Sequence, residues 1–313
     1  MRIAVIGALG GLGANVVRDA LARGHRVRAL VRREPPSDAP AGVEWVRGDA
    51  HDVDTVAALV RGCEALAHCA NVNIGPTWAK TVLGMLDTAI AGCRRHDTKL
   101  VFPANVWVFG RGRPGERVDE QVPFSPCSDK GRVRAEQERR IRVSGIRHVM
   151  VRLPEFYGPH VVTLTGPMFR AALRGDTVRW FGDLDAEVEF VFMPDGARAL
   201  VEVAAARGID RGLFHLPGAA PITPRALLGE AIRQAGTASK LRALPPWLVR
   251  TAGVFAPKAR AFADILHLWE HPIVLDGSKY RAQFGELPAT PYHDGIAHTL
   301  AWLREHLDVP MYY

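Results

Sequence analysis

The chain is poor in the residues that staple or anchor a protein. Among its 313 residues are four cysteines, Cys63, Cys69, Cys93 and Cys127. None forms a CxxC pair and none stands at zinc spacing to a histidine. That pattern argues against a disulfide framework and a structural zinc site, and the four read as reduced thiols of a cytoplasmic protein. No apolar run reaches the roughly 18 residues of a membrane span. The opening MRIAVIGALGG lacks the basic, long apolar and small-residue regions of a secretion signal. Lysine is scarce too, confined to Lys80, Lys99, Lys130, Lys240, Lys258 and Lys279. The net charge of +7 is therefore carried mostly by arginine, spread along the chain. No basic stripe interleaves with aromatics, so no nucleic-acid partner is expected. A phosphate-bearing small molecule would still be attracted.

What is present is an ordinary globular composition, 48% hydrophobic, sufficient for a full core in one large domain or two coupled ones. Residues 2–6 form an apolar run that reads as a buried strand. Leu12, Val16, Val17, Ala20 and Leu21 recur at helical spacing, and Gly24 ends that helix. HRVRALVR predicts a second strand, closed by Pro35 and Pro36. Further strands are predicted at 43–47, 65–69, 99–103 with its continuation, and 148–153. Helices are predicted at 53–61, about 78–95 and about 130–143. Strand and helix alternate through the first half, which implies right-handed βαβ units. The expected fold is α/β, a doubly wound parallel Rossmann sheet with its ligand crevice at the carboxyl ends of the strands. The less regular stretches suggest a smaller cap.

Gly7-Ala8-Leu9-Gly10-Gly11-Leu12-Gly13 separates the first strand from the first helix. Gly7 permits a tight turn, Gly10 lets the backbone approach a pyrophosphate, and Gly13 lets the helix pack close to the sheet. With Leu9, Gly11 and Leu12 they form a candidate phosphate cradle at a helix N-terminus. Arg32 and Arg33 end the second strand, where an NAD site normally carries an acid. Guanidinium forks suit a 2′-phosphate, so NADP is expected ahead of NAD. A solvated basic edge is the alternative. Asp49 is placed to accept from the adenine amine, and Asp52 reads as a helix cap.

These segments resemble the extended short-chain dehydrogenase/reductase superfamily, the group of NAD-dependent epimerases and dehydratases. RGDAHD, ALAHCAN, LVFPANVWVFG, VRLPEFYGP, VFMPDGARAL, FHLPGAAPIT and TPYHDGIAHTLAWL carry the likeness over nearly the whole chain. The resemblance implies a Rossmann domain of residues 1–155 plus 187–216 and a substrate-binding cap of 156–186 plus 217–313. By analogy it implies a homodimer through the long Rossmann helices. It also implies cofactor contacts from Ala50, Cys69, Ala70, Asn71, Pro103, Pro154 and Phe156.

The family's chemistry uses a Ser or Thr after strand five and a Tyr-x-x-x-Lys on the next helix, and here the motif departs. Asn105 takes the Ser position. Aligning Glu136 with the Glu that follows the family motif puts Ser128 at Tyr and Arg132 at Lys. A shift of one gives Cys127 and Gly131. A serine is a far poorer proton donor than a tuned tyrosine. Arg132 would still bond the cofactor ribose without shuttling a proton, and Asn105 would donate to a carbonyl or oxyanion. Glu155 and Tyr157 in EFYGP are the candidate replacement acids, with core packing the competing role for Tyr157. Asp195 reads as a helix cap. Trp180, Phe181, Trp247, Phe255, Phe262, Trp269 and Tyr280 read as cap core or as the lining of a pocket for a hydrophobic small molecule. Three functions stay open: an NADP(H)-dependent oxidoreductase acting on a carbonyl or conjugated double bond, a non-redox isomerase, lyase, cyclase or epimerase, and a non-catalytic dinucleotide sensor.

Overall fold

Seven short strands rich in small and β-branched apolar residues form one parallel sheet. They are β1 (Arg2–Ile6), β2 (Arg26–Val31), β3 (Val43–Arg47), β4 (Ala65–His68), β5 (Lys99–Asn105), β6 (His148–Leu153) and β7 (Arg211–His215). Their order is β3-β2-β1-β4-β5-β6-β7. The computed structural model describes residues 1–35, 39–162 and 164–309. Pro36 and the side chain of Phe255 lie outside the described residues.

Helices cover both faces, and the period of two along β1 shows how. Ile3 and Val5 face α1 (Gly11–Ala22) and a later helix, while Ala4 and Ile6 face α2 (Val53–Val60) and α3 (Trp78–His96). α4 (Asp129–Val143) joins the second face through Ile141. After α5 (Thr165–Arg174) the chain returns as α6 (Met193–Ala205), which packs beside α1. Strand order reverses between β1 and β4, with the chain moving outward first to one side and then to the other, and this is the crossover point where open α/β sheets bind ligands.

Two basic residues of the strands cap helices. Arg28 Nη1 donates to the carbonyls of Ala58 at 3.0 Å and Leu59 at 2.9 Å, near the end of α2. Lys99 Nζ donates to Val203, Ala206 and Ile209 carbonyls at 3.1, 2.9 and 3.2 Å, around the end of α6. The last carbonyls of a helix have no internal partner, so the half-buried Arg28 and the buried Lys99 serve them.

The cap contains α5, α7 (Pro224–Ala235), α8 (Pro246–Phe255), α9 (Pro257–Ala263) and the closing helix Tyr292–Glu305. Its core holds Phe169, Trp180, Phe190, Trp269 and Leu300. Trp180 stacks on Trp269 with ring centroids 4.5 Å apart, and Phe181 and Phe262 pack edge to face at 4.9 Å. Tyr280 does not belong to this group. It packs on Phe214 and Phe284 against the Rossmann sheet, and its hydroxyl donates to Glu202 at 2.6 Å. Residues after 217 therefore serve both parts of the molecule.

Candidate active site

The glycine turn is a backbone contact made tight by missing side chains. Gly7 has φ +84°, a region that glycine enters without strain. A Cβ there would lie 2.6 Å from the Ala70 nitrogen, and one on Gly13 would lie 2.7 Å from the Gly7 carbonyl carbon. At Gly10 a Cβ would meet only the Gly7 oxygen, at 3.3 Å, among the described residues. The outer side of the turn is thus open. Gly10 is the N-cap of α1, which has no side-chain cap among the described residues. Uncapped N–H groups facing open space fit a pyrophosphate. Leu9 is exposed, and Gly11 and Leu12 are half-buried. Gly11 lies under the His160 carbonyl, 2.7 Å from where its Cβ would be.

Strand register gathers the remaining candidates at the same edge. Ile6 pairs with Leu30 on one side and His68 on the other. Arg32 and Arg33 are exposed just beyond, without an ion-pair partner among the described residues. Asp49 is exposed and accepts from the His51 amide at 2.9 Å. Ala50 is buried, and its carbonyl accepts the Thr88 hydroxyl. Asp52 accepts from the Asp54 amide at 3.0 Å as the N-cap of α2. The Cys69 amide donates to Ile6 at 2.9 Å, and burial pushes its thiol up to about 12. Asn71 accepts from the Trp78 indole at 3.1 Å.

Pro103 lies past the last β4–β5 pair, at Val101, where no ladder donor is lost. Asn105 ends β5. Its side-chain oxygen accepts from the Trp107 amide at 3.1 Å and starts the short turn Val106–Val108. That bond assigns the oxygen and leaves the amide N–H₂ as a donor.

Behind Asn105 lies a buried polar network that sequence reasoning did not find. Arg152 of β6 is fully buried and pairs with Glu138 of α4 through two bonds of 2.9 Å. It also donates to the Asn105 carbonyl, and to His215 Nε2 at 3.1 Å. Burial, then the nearby Arg152 charge, pushes His215 down to about 3, so the ring is neutral.

α4 disposes the motif residues differently from expectation. Ser128 is buried as its N-cap, accepting from the Gly131 amide at 3.0 Å. Arg132 points outward, exposed and paired with Asp129. The inward position is Gly131, whose Cβ would overlap the Trp107 carbonyl. One turn on, Arg134 lies against Trp78 and Trp107, 5.3 and 5.7 Å from the ring centroids. Burial pulls its pKa down to about 10. Burial and then Arg134 hold His68 down at about 4. Lys130 reaches away to the Ala261 carbonyl. The Asp264 carboxylate accepts from the Asp129 and Lys130 amides, both at 3.2 Å, so the cap closes on the start of α4.

Residues Glu155–Tyr157 leave β6 through Pro154 and pair with Phe190–Phe192. Tyr157 is buried in the cap core among Phe169, Phe192 and Tyr292. Its hydroxyl has no hydrogen-bond partner among the described residues, and burial raises its pKa. The structure thus gives it the packing role. Phe156 packs against the Rossmann core near Gly196. Glu155 is half-buried, and its carboxylate accepts only from the Phe156 amide, at 3.3 Å, among the described residues. Burial pushes its pKa up to about 7. Asp195 is not a cap. It lies inside the first turn of α6, whose N-cap is Phe192, and its carboxylate accepts from the amide and hydroxyl of Thr290 at 2.6 and 2.9 Å.

No helix among the described residues is long and apolar enough to cross a membrane. Residues 3–212 match the NAD dependent epimerase/dehydratase family. Sterol demethylase protein B of Methylococcus capsulatus is 29% identical, with 97% of this chain and 99% of that protein covered. A ketoreductase of Stigmatella aurantiaca, named for 4-hydroxy-2-methyl-3-oxo-4-farnesyl-3,4-dihydroquinoline-1-oxide, is 26% identical over 95% of each chain. The UDP-glucose 4-epimerase of Thermus thermophilus, solved with NAD, superimposes with a TM-score of 0.76 at 22% identity, covering 97% of this chain and 99% of that one. The sheet order, the glycine turn and these matches agree: the chain belongs to the NAD-dependent epimerase/dehydratase family of extended short-chain dehydrogenases/reductases, and it is an NAD(P)-dependent enzyme.

Proposed function

We propose that the protein is an NADP(H)-dependent reductase of a carbonyl, or of a double bond conjugated to one, in a small lipophilic molecule. The observation that carries this reading is the common sheet edge shared by an open, uncapped glycine turn, the Asn105 amide and the Glu155 carboxyl. The two curated relatives support the substrate class, since one is named for a sterol and the other for a farnesyl-bearing ketone.

When bound, the dinucleotide supplies a hydride. Gly7, Gly10 and Gly13 let its pyrophosphate approach the start of α1. Arg32 and Arg33, exposed and unpaired among the described residues, take the 2′-phosphate. The Asn105 N–H₂ donates to the substrate oxygen as negative charge builds there. Glu155 gives that oxygen its proton, and a carboxyl poised at about 7 is matched to the task. The product is the alcohol from a carbonyl, or from a conjugated double bond the enol that relaxes to the saturated ketone, and solvent water returns a proton to Glu155. Arg134, rather than Arg132, adds positive field from α4.

The test is dinucleotide oxidation with a panel of lipophilic ketones. NADPH should be oxidised faster than NADH, and Arg32→Ala with Arg33→Ala should raise KM for NADPH about tenfold while leaving NADH nearly unchanged. Tight NADPH binding without oxidation by any ketone would overturn the reading. Product formed without net oxidation would favour a redox-neutral epimerase or dehydratase, in which Glu155 serves as the base.

A further inference from the structure

α8 is an apolar helix that buries little of itself. In PWLVRTAGVF only Val249 and Gly253 are buried among the described side chains, while Trp247 is 61% and Val254 64% exposed. Leaving such surface in water is unfavourable by about 25 cal/mol per Å². Alongside the helix lies a cavity of about 470 Å³, bounded by Met168 and Ala171 of α5, Phe181, Ala252 and Phe262. That volume falls within the roughly 300–1,000 Å³ of small-molecule sites.

One lining residue is charged. Arg179 is exposed and has no hydrogen-bond or ion-pair partner among the described residues. Three cap arginines are paired, Arg225 with Asp185, Arg233 with Glu230 and Arg250 with Glu270, whereas Arg242, opposite Arg179 in the strand pair Val178–Phe181 with Leu241–Leu244, has no partner among the described residues either. A free guanidinium beside an apolar cavity complements a carboxylate carried on an alkyl chain. The cavity walls are tied to the candidate site. Phe262 is two residues from Asp264, which holds α4, and the Thr165 hydroxyl at the start of α5 donates to the Phe156 carbonyl at 2.8 Å, next to Glu155.

We propose that this cavity takes the alkyl chain of a fatty carboxylate, with the carboxylate on Arg179 and α8 folded over the chain. That the occupant is the substrate rests on the reductase reading above; that the cavity binds it does not. The full-length protein is titrated with dansyl-undecanoate, followed by the fluorescence shift of the dansyl group. One saturable site is expected, from which dodecanoate displaces the probe about tenfold better than dodecanol. Ala252→Trp, which fills the cavity, should abolish binding. Arg179→Gln, at an exposed position, should weaken dodecanoate about tenfold and erase its advantage over dodecanol. Circular dichroism checks that each variant folds, and the wild-type competition decides should Ala252→Trp fail to. Lack of saturable binding, or equal displacement by acid and alcohol, overturns the proposal, as does unchanged binding in a folded Ala252→Trp. Probe binding without ketone reduction overturns the reductase reading and leaves the cavity standing. Reduction of short ketones with no preference for oxo-dodecanoate removes the substrate assignment.

Discussion

Arg152 sits wholly inside β6, and its guanidinium joins α4, β5 and β7 through Glu138, Asn105 and His215. Removing one member of a buried pair leaves the other charge uncompensated. Glu138→Gln should therefore lower the unfolding free energy by about 3–5 kcal/mol in urea titration. Arg152→Met with Glu138→Leu should recover most of that loss, yet still reduce kcat, because the Asn105 carbonyl loses its donor. Glu155 gives a pH prediction. Its folded pKa is about 7 against an ordinary 4.5, so the folded state binds protons more tightly between those values. Stability on this account is greatest on the acid side and falls as pH rises through that window. Carbonyl reduction should fall above about pH 7 as the acid ionises, and Glu155→Gln should be slower, with that inflection gone from its pH–rate profile. Gly13→Ala drives a Cβ into the Gly7 carbonyl, so dinucleotide affinity measured by fluorescence should drop at least tenfold, with a loss of about 1–3 kcal/mol of stability. The glycine turn was legible because its constraint is local backbone geometry. Motif spacing counts residues along the chain and says nothing of which way Ser128 and Arg132 face, while each residue turns the helix by about 100°. That rotation puts Arg132 outside and Gly131 and Arg134 inside.

Elements that announce themselves by period were readable. Strands 43–47 and 148–153 match β3 and β6, and the predicted helices agree with α2, α3 and α4 to within a residue. β7 escaped because RGLFH is short and bounded by polar residues. The helix Ser278–Phe284 escaped because its partner, Phe214, is distant in sequence. The same distance hides the hold of the cap on α4. Asp264 accepts two amides of the first turn, where a carboxylate also meets the positive end of the helix dipole. Asp264→Ala should lower stability by about 1 kcal/mol. It should also speed proteolysis of α8 and α9 in a limited-digestion time course, since the segment carrying them loses an anchor. Unchanged cleavage would show that the rest of the cap already holds those helices.

The molecule as a whole is built from a chain that visits its parts out of order. The Rossmann sheet takes β7 from beyond the first cap segment, and one face is covered only when α6 arrives. The cap in turn reaches back to α4. A cut at residue 186 should therefore yield no stable domain, although it retains every predicted cofactor contact. Near-ultraviolet circular dichroism of residues 1–186 should lack the native signal, and co-expression with 187–313 should restore it.

Lys99 gives this interleaving a time axis. Its ammonium serves carbonyls 104, 107 and 110 residues further along the chain. While the protein is being made, β5 can pair with β4 well before those acceptors leave the ribosome. Until then a cation waits at the edge of an apolar sheet face with only water to solvate it, which discourages that face from closing on the wrong segment. A neutral residue of similar shape would lift this restraint, so Lys99→Met should let the nascent chain collapse early and raise the insoluble fraction on expression.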